Sequence, residues 1–158
     1  MHDLDDELVV TAQLDRKPRG EWAVVRRCHL GVPMVIKSHP LLEDGSPFPT
    51  LYWLTCPALV KSISALESEG YMDDVNDELR DSPSLRDRLL AALARYRMDR
   101  DSLMKLDADP PGGGPDRVKC LHAHTAQELA SRPNPIGAIS LARAGWPDCR
   151  DRCYQTAK

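Results

Sequence analysis

The chain has 158 residues, the size of one ordinary domain, and its 42% hydrophobic and 28% charged residues are typical of a globular protein. A net charge of -3 excludes a strongly basic protein with a general attraction to nucleic acid or to anionic membranes. No apolar run approaches the ~20 residues that span a bilayer, and the first residues are acidic where a signal peptide is basic, so we expect a cytoplasmic protein.

The first third of the chain predicts a short helix followed by three strands. Apolar positions among acidic residues predict a helix over residues 4–15, which Pro18-Arg19-Gly20 ends. Residues with a high β propensity predict strands over 23–28, 34–37 and 50–55, with glycine and proline turns between them. The first two strands should pair as a hairpin.

The rest of the chain predicts three main helices. Apolar residues at helical spacing place them over residues 57–69, 84–105 and 116–131. Gly70 ends the first helix, and Ser82 is the expected cap of the second. The sequence therefore predicts an α+β fold, in which a small, mostly antiparallel sheet of about three strands packs against three main helices.

We expect these elements to form a single domain over residues 1–158. Residues 1–20 form an N-terminal helix and a basic segment, 21–137 form the core, and 138–158 form a tail. The glycine-rich break at 110–114 is not a domain boundary, because the roughly 45 residues beyond it are too few to fold alone.

The five cysteines are an odd set, and in a reducing compartment they favour metal or thiol chemistry over a disulfide framework. Cys28, Cys56 and Cys120 each lie at the end of a predicted element, where their side chains can point into a shared pocket. We predict a zinc site of structural role at these three cysteines and a histidine. The plainer alternative is that each cysteine only fills space in the core, since no Cys-x-x-Cys pair is present. Cys149 and Cys153 suit one helical face, and we expect them to be peripheral.

The fourth ligand depends on where the third main helix begins. At about 100° per residue, His124 lies ~40° from Cys120 on a helix, whereas His122 lies ~200° away. His124 is therefore the expected ligand if residue 120 is helical. His122 replaces it if the backbone is not yet helical there.

Two other functions fit the same residues. One is an enzyme that acts on an anionic small molecule, with Cys56 or Cys120 as the nucleophile and His122 or His124 as the base. In this enzyme Asp116 would orient the base, and Arg117 and Lys119 would bind the anionic group of the substrate. The plainer interpretation of these charged residues is a solvated first helical turn. The other function is an adaptor that contacts RNA through a basic stretch formed by Arg16, Lys17, Arg19, Arg26 and Arg27, although such a stretch is usually a solvated face.

Several segments of the sequence carry a family resemblance. They are 12–20, 27–31, 44–57, 66–70, 115–122 and 134–137, and the longest reads Asp44-Gly45-Ser46-Pro47-Phe48-Pro49-Thr50-Leu51-Tyr52-Trp53-Leu54-Thr55-Cys56-Pro57. With them the chain resembles a bacterial family, of the actinobacterial type, known as domain-of-unknown-function family 501. The resemblance stresses Cys56, Cys120 and His122, and it favours His122 over His124. Related genes often lie beside those of a cell-division protein, an enolase and an exopolyphosphatase-like protein, which implies a division or envelope partner for an adaptor.

Overall fold

A three-stranded antiparallel sheet and six helices make up residues 5–154, the part of the chain that this computed structural model describes. The strands are β1 (Trp22–Arg27), β2 (Pro33–Ser38) and β3 (Tyr52–Leu54), in the order β1-β2-β3. The helices are α1 (Asp6–Leu14), α2 (Pro57–Ser68), α3 (Tyr71–Asp81), α4 (Pro83–Asp101), α5 (Leu121–Ala130) and α6 (Pro135–Ala144). Leu4, where the N-terminal helix was predicted to begin, and the last four residues of the predicted tail lie outside the described residues.

The structure has the α+β arrangement and three antiparallel strands, but the prediction of three main helices is wrong, because six helices are present in the described residues. Helix α3 was missed because Gly70 was taken only as a stop. Gly70 has a φ of 84° and serves as the cap of α3, whose buried Val75 and Leu79 are four residues apart in an otherwise acidic segment. Helix α6 was missed because it crosses the expected boundary between core and tail; Pro135 occupies its first turn, behind its cap, Asn134.

The third predicted helix was placed too early. It was expected over 116–131, but α5 begins at Leu121, and Cys120 has an extended backbone with φ -151° and ψ 117°. The preceding segment is folded into a turn, in which the Gly112 carbonyl accepts hydrogen bonds from the N–H groups of Lys119 and Cys120. This turn requires Gly113, which has a φ of 78° and where a Cβ would lie 2.4 Å from the Arg117 carbonyl oxygen.

The core lies between the sheet and the helices. The sheet contributes Met34, Val35 and Leu54, and the buried stripe of α2 contributes Leu59 and Ile63. Helix α5 packs against α6, β3 and α2, so its N-terminal end is fixed beside the sheet. Within residues 5–154 no helix is both long and apolar enough to cross a bilayer.

Candidate metal centre and the adjoining cleft

Three potential ligands converge where α2 ends and α5 begins. Glu67 lies in the last turn of α2, Cys120 is the N-cap of α5, and His122 lies in its first turn. The His122 Nδ1 atom is 3.2 Å from Glu67 Oε1 and 3.9 Å from Cys120 Sγ. Within residues 5–154, this is the one place where three or more His, Cys, Asp or Glu side chains have ligand atoms that all lie within 4.8 Å of one another.

Each of the three side chains is oriented by a further contact. The His122 Nε2 atom lies 3.3 Å from the Val60 carbonyl oxygen and 3.0 Å from Ser64 Oγ. Because a carbonyl only accepts, Nε2 carries a proton and donates it, which leaves Nδ1 directed at the other two residues. The second carboxylate oxygen of Glu67 accepts a hydrogen bond of 3.0 Å from the Leu121 N–H. The N–H of Ala123, in the first turn of α5, interacts with the Cys120 sulfur.

Cys120 and His122 shift each other's pKa in opposite directions. Burial alone raises the pKa of Cys120, but the hydrogen bond from His122, the Ala123 N–H and the His122 charge outweigh it, so that the pKa is lowered. The hydrogen bond with Cys120 and the charge of Glu67 raise the pKa of His122 against the opposing effect of burial. The thiolate form of Cys120, which is the form that binds metals and attacks electrophiles, is therefore favoured.

We expect the alkylation of Cys120 in chelator-treated protein to follow a pH midpoint below 9.0, the ordinary value for a thiol. At any pH below this midpoint its rate should exceed that of an ordinary thiol, because a larger fraction of Cys120 is thiolate. In His122→Gln the midpoint should rise. Burial, which raises the pKa of Cys120, is then opposed only by the Ala123 N–H, because the hydrogen bond and the charge of His122 are gone. Iodoacetamide labelling read by peptide mass spectrometry measures both midpoints. Cys153, whose pKa burial raises, is the internal control, and equal midpoints for the two cysteines would contradict the prediction.

A cleft of about 470 Å³ adjoins two of the three converging residues, Cys120 and His122. Leu14 of α1, Trp53 of β3 and Val60 of α2 line it with apolar surface, and Cys120 and His122 form part of its wall. Its volume lies within the range of small-molecule sites.

Two side chains of the cleft wall have unsatisfied polar atoms. Trp53 Nε1 and Gln13 Oε1 are buried and have no hydrogen-bond partner within residues 5–154. Since buried polar atoms are normally paired, each of these two side chains has an unused hydrogen-bonding atom.

His124 has a structural environment. It is 1% exposed, its Nε2 atom contacts the carbonyl oxygens of Gly112 and Gly113 at 3.1 and 3.0 Å, and its Nδ1 atom lies 3.0 Å from Asn134 Nδ2. Burial lowers the pKa of His124, so the ring is neutral and both nitrogens are engaged in holding the turn before α5. The structure does not bring it together with Cys120.

Cys28 and Cys56 lie apart from this centre. Both line a different, small cavity beside the β1–β2 turn, together with Cys149 and Cys153. The structure thus places the five predicted metal-ligand residues in three environments: Cys28 with Cys56, Cys120 with His122, and His124 alone.

The charged residues assigned to an enzyme or to an RNA contact mostly form ion pairs at the surface. Asp116 is 83% exposed and binds Arg86 at 2.6 Å, and Arg117 and Lys119 are exposed. Three residues of the basic stretch form ion pairs: Arg27 with Asp6, Arg19 with Glu43 and Asp44, and Lys17 with Glu7. The other two lie over aromatic rings, Arg16 over Trp53 and Arg26 over Trp146.

Comparison with known families gives one match. A family model described as "Protein of unknown function (DUF501)" covers residues 24–142. The chain belongs to this family. The resemblance inferred from the sequence is thereby confirmed. Searches of the curated proteins and of the solved structures found no match.

The DUF501 match spans Glu67, Cys120 and His122, whereas Cys149 and Cys153 lie beyond it. Glu67 was not singled out as a ligand from the sequence, because a glutamate near the end of a polar helical face has the pattern of any solvated residue. The available signal was its place in the segment 66–70, one of those that carried the family resemblance.

Proposed function

We propose that this DUF501 protein is a zinc-binding protein whose metal centre consists of Glu67, Cys120 and His122 and serves the adjoining cleft. The observation that carries the proposal is the convergence of the three ligand atoms within 4.8 Å of one another. One sulfur, one nitrogen and one oxygen ligand suit zinc, and the two anionic side chains neutralise its charge.

The outer contacts support a metal centre over a simple hydrogen-bonded cluster. Histidines that bind a metal through one ring nitrogen almost always donate the other N–H to a carbonyl or carboxylate. His122 does so towards Val60, and Glu67 is held by the Leu121 N–H through the oxygen that does not face His122. These contacts hold His122 and Glu67 with their remaining ligand atoms towards each other, which supports the proposal.

The number of ligands favours a reactive centre over the structural one expected from the sequence. Structural zinc sites have four protein ligands, whereas three ligands leave a position for water or substrate. Zinc in such a site polarises a carbonyl or activates a bound water. The cleft wall is mainly apolar, with Leu14, Trp53 and Val60 in it, so its ligand has an apolar body.

We expect the purified protein to lose zinc from this centre when a ligand is replaced. Glu67→Gln and His122→Ala should each lower the zinc affinity at least about 100-fold, because a first-sphere ligand is lost, and Ser64→Ala should lower it by about 10-fold. Competition with a chromophoric chelator measures the affinities, and elemental analysis measures the stoichiometry. The matched control is Glu69→Gln, an exposed glutamate two residues from Glu67 that should bind zinc as the wild type does. Equal zinc content and affinity in all four variants would contradict the proposal.

A second candidate is an enzyme that uses Cys120 as a nucleophile. It is favoured by the position of Cys120 on the cleft wall, with the Ala123 N–H and His122 beside its sulfur. Under this alternative the protein binds no zinc at Glu67 and His122, and the alkylation of Cys120 is equally fast before and after treatment with a chelator. Bound zinc would instead protect Cys120 until the chelator removes it.

A further inference from the structure

Four of the five cysteines surround one cavity beside the β1–β2 turn. They come from distant segments: Cys28 from the turn, Cys56 from the start of α2, and Cys149 and Cys153 from the segment after α6. The free volume of the cavity is about 30 Å³, enough for a single ion or water. All four cysteines are free thiols.

Backbone N–H groups are directed at the sulfurs of this cluster. The Leu30 N–H donates to Cys28 Sγ at 3.4 Å, in a tight turn that the Gly31 N–H closes on the Cys28 carbonyl at 2.9 Å. Cys56 is the N-cap of α2; burial raises the pKa of its thiol, and the N–H groups of Leu59 and Ala58 act in the opposite direction. Such donors stabilise sulfur that carries negative charge, as a metal-bound thiolate does.

The segment over 145–154 is held on this site without a core of its own. None of its residues is buried, and it has neither helix nor strand. Its contacts with the turn are polar: the Cys149 carbonyl lies 2.7 Å from His29 Nε2, and Arg152 Nε donates to the Leu30 carbonyl at 2.9 Å. These contacts bring Cys149 and Cys153 to the cavity, opposite Cys28 and Cys56.

We propose that Cys28, Cys56, Cys149 and Cys153 bind one zinc ion, which fastens the segment over 145–154 to the sheet. Four thiolate ligands select zinc or another soft cation and complete a tetrahedral structural site. A tetrahedral zinc with Zn–S bonds of about 2.3 Å holds its sulfurs about 3.8 Å apart. No three of the four sulfurs lie all within 4.8 Å of one another, so binding draws them inward around the small cavity.

Two further side chains of the cavity are of metal-ligand type. His29 and Asp151 also line it, and either can take the place of a cysteine ligand. His29 is engaged with the Cys149 carbonyl through Nε2, which suits an outer contact that positions the segment. A carboxylate is a harder ligand than a thiolate, so Asp151 ranks below the four sulfurs for a soft cation.

This site is independent of the centre at Glu67, and elemental analysis under reducing conditions separates the two. After reconstitution with zinc, the wild type should hold two equivalents per chain. Cys149→Ser with Cys153→Ser should hold one, and its remaining zinc should be lost on adding Glu67→Gln with His122→Ala. Because 145–154 has no buried residue, the serine variants should remain folded. Asp148→Ser, an exposed change in the same segment, should keep both equivalents.

Cobalt substitution identifies the ligands. In the Glu67→Gln/His122→Ala variant, cobalt at the four-cysteine site should give the strong sulfur-to-metal absorption and tetrahedral visible bands of a thiolate site, and serine at 149 and 153 should abolish both. The same zinc content with and without Cys149 and Cys153 would overturn the proposal. A metal-free protein whose mass shows disulfides among these cysteines, persisting after mild reduction and zinc addition, would also overturn it.

Discussion

Gly137→Ala is expected to destabilise the fold by about 3 kcal/mol, a loss at the upper end of those caused by overpacking. Gly137 lies where α6 crosses α5, and a Cβ there would lie 2.2 Å from the His124 carbonyl oxygen and 2.6 Å from Glu128 Cβ. The carbonyl belongs to the backbone of α5 and cannot rotate away as a flexible side chain can. The two helices must therefore separate, and their packing is lost. Urea denaturation measures the change in the free energy of unfolding.

The matched control for Gly137→Ala is Ala138→Ser. Ala138 is the next residue of α6 and faces solvent, so its replacement should change the free energy of unfolding by about 0.5 kcal/mol or less. Because α5 also carries His122, the separation of the helices in Gly137→Ala should weaken zinc binding at Glu67, Cys120 and His122. A Gly137→Ala variant as stable as Ala138→Ser would show that the helix crossing does not depend on the missing side chain.

The strands and three of the helices, α1, α2 and α4, could be predicted because their signals are local. Helix α2 has Pro57 at its start and buried residues at positions 59, 63 and 66, and Ser82 caps α4 by accepting from the Leu85 N–H at 3.2 Å. These features need only the residue and its neighbours within one or two turns. The same holds for the β1–β2 hairpin, whose turn is closed by Gly31.

The start of α5 could not be predicted because distant contacts fix it. The pattern of residues 116–131 is compatible with a helix throughout, yet the Gly112 carbonyl and the side chain of Asn76 hold 118–120 in an extended form. This shift decides the chemistry of the site. With Cys120 outside the helix, its neighbour is His122, which the sequence offered as the alternative, and His124 turns into the core.

The grouping of the cysteines was equally beyond the sequence. Spacing identified Cys28, Cys56 and Cys120 as residues at element ends, but only the packing of the tail beside the β1–β2 turn places Cys149 and Cys153 with the first two. Glu67 joins Cys120 across a separation of more than fifty residues, through the contact of α2 with α5. Convergence of this kind is a property of tertiary packing, whereas sequence patterns report local structure.

Asn134→Ala is expected to cost at least about 3 kcal/mol of stability, because one buried side chain serves four partners. Asn134 is fully buried, and its Oδ1 caps α6 by accepting from the N–H groups of Ile136 and Gly137, both at 3.0 Å. Its Nδ2 donates to Gln127 Oε1 at 2.8 Å and to His124 Nδ1 at 3.0 Å. Loss of the cap costs about 1 kcal/mol, and each buried acceptor left unpaired adds about 1–3 kcal/mol.

Asn134→Ser separates the two contributions. Serine is a good N-cap but is too short to reach Gln127 and His124, so it should recover about 1 kcal/mol of the loss measured for alanine. The remaining loss belongs to the network that holds His124 against the carbonyls of Gly112 and Gly113, and Gly112 forms part of the cleft wall. Amide hydrogen exchange across 111–120 should therefore be faster in both variants, while that of α1 is unchanged. If serine restored the stability completely, the role of Asn134 would be that of a helix cap alone, and His124 would need another partner to keep the turn beside Cys120 in place.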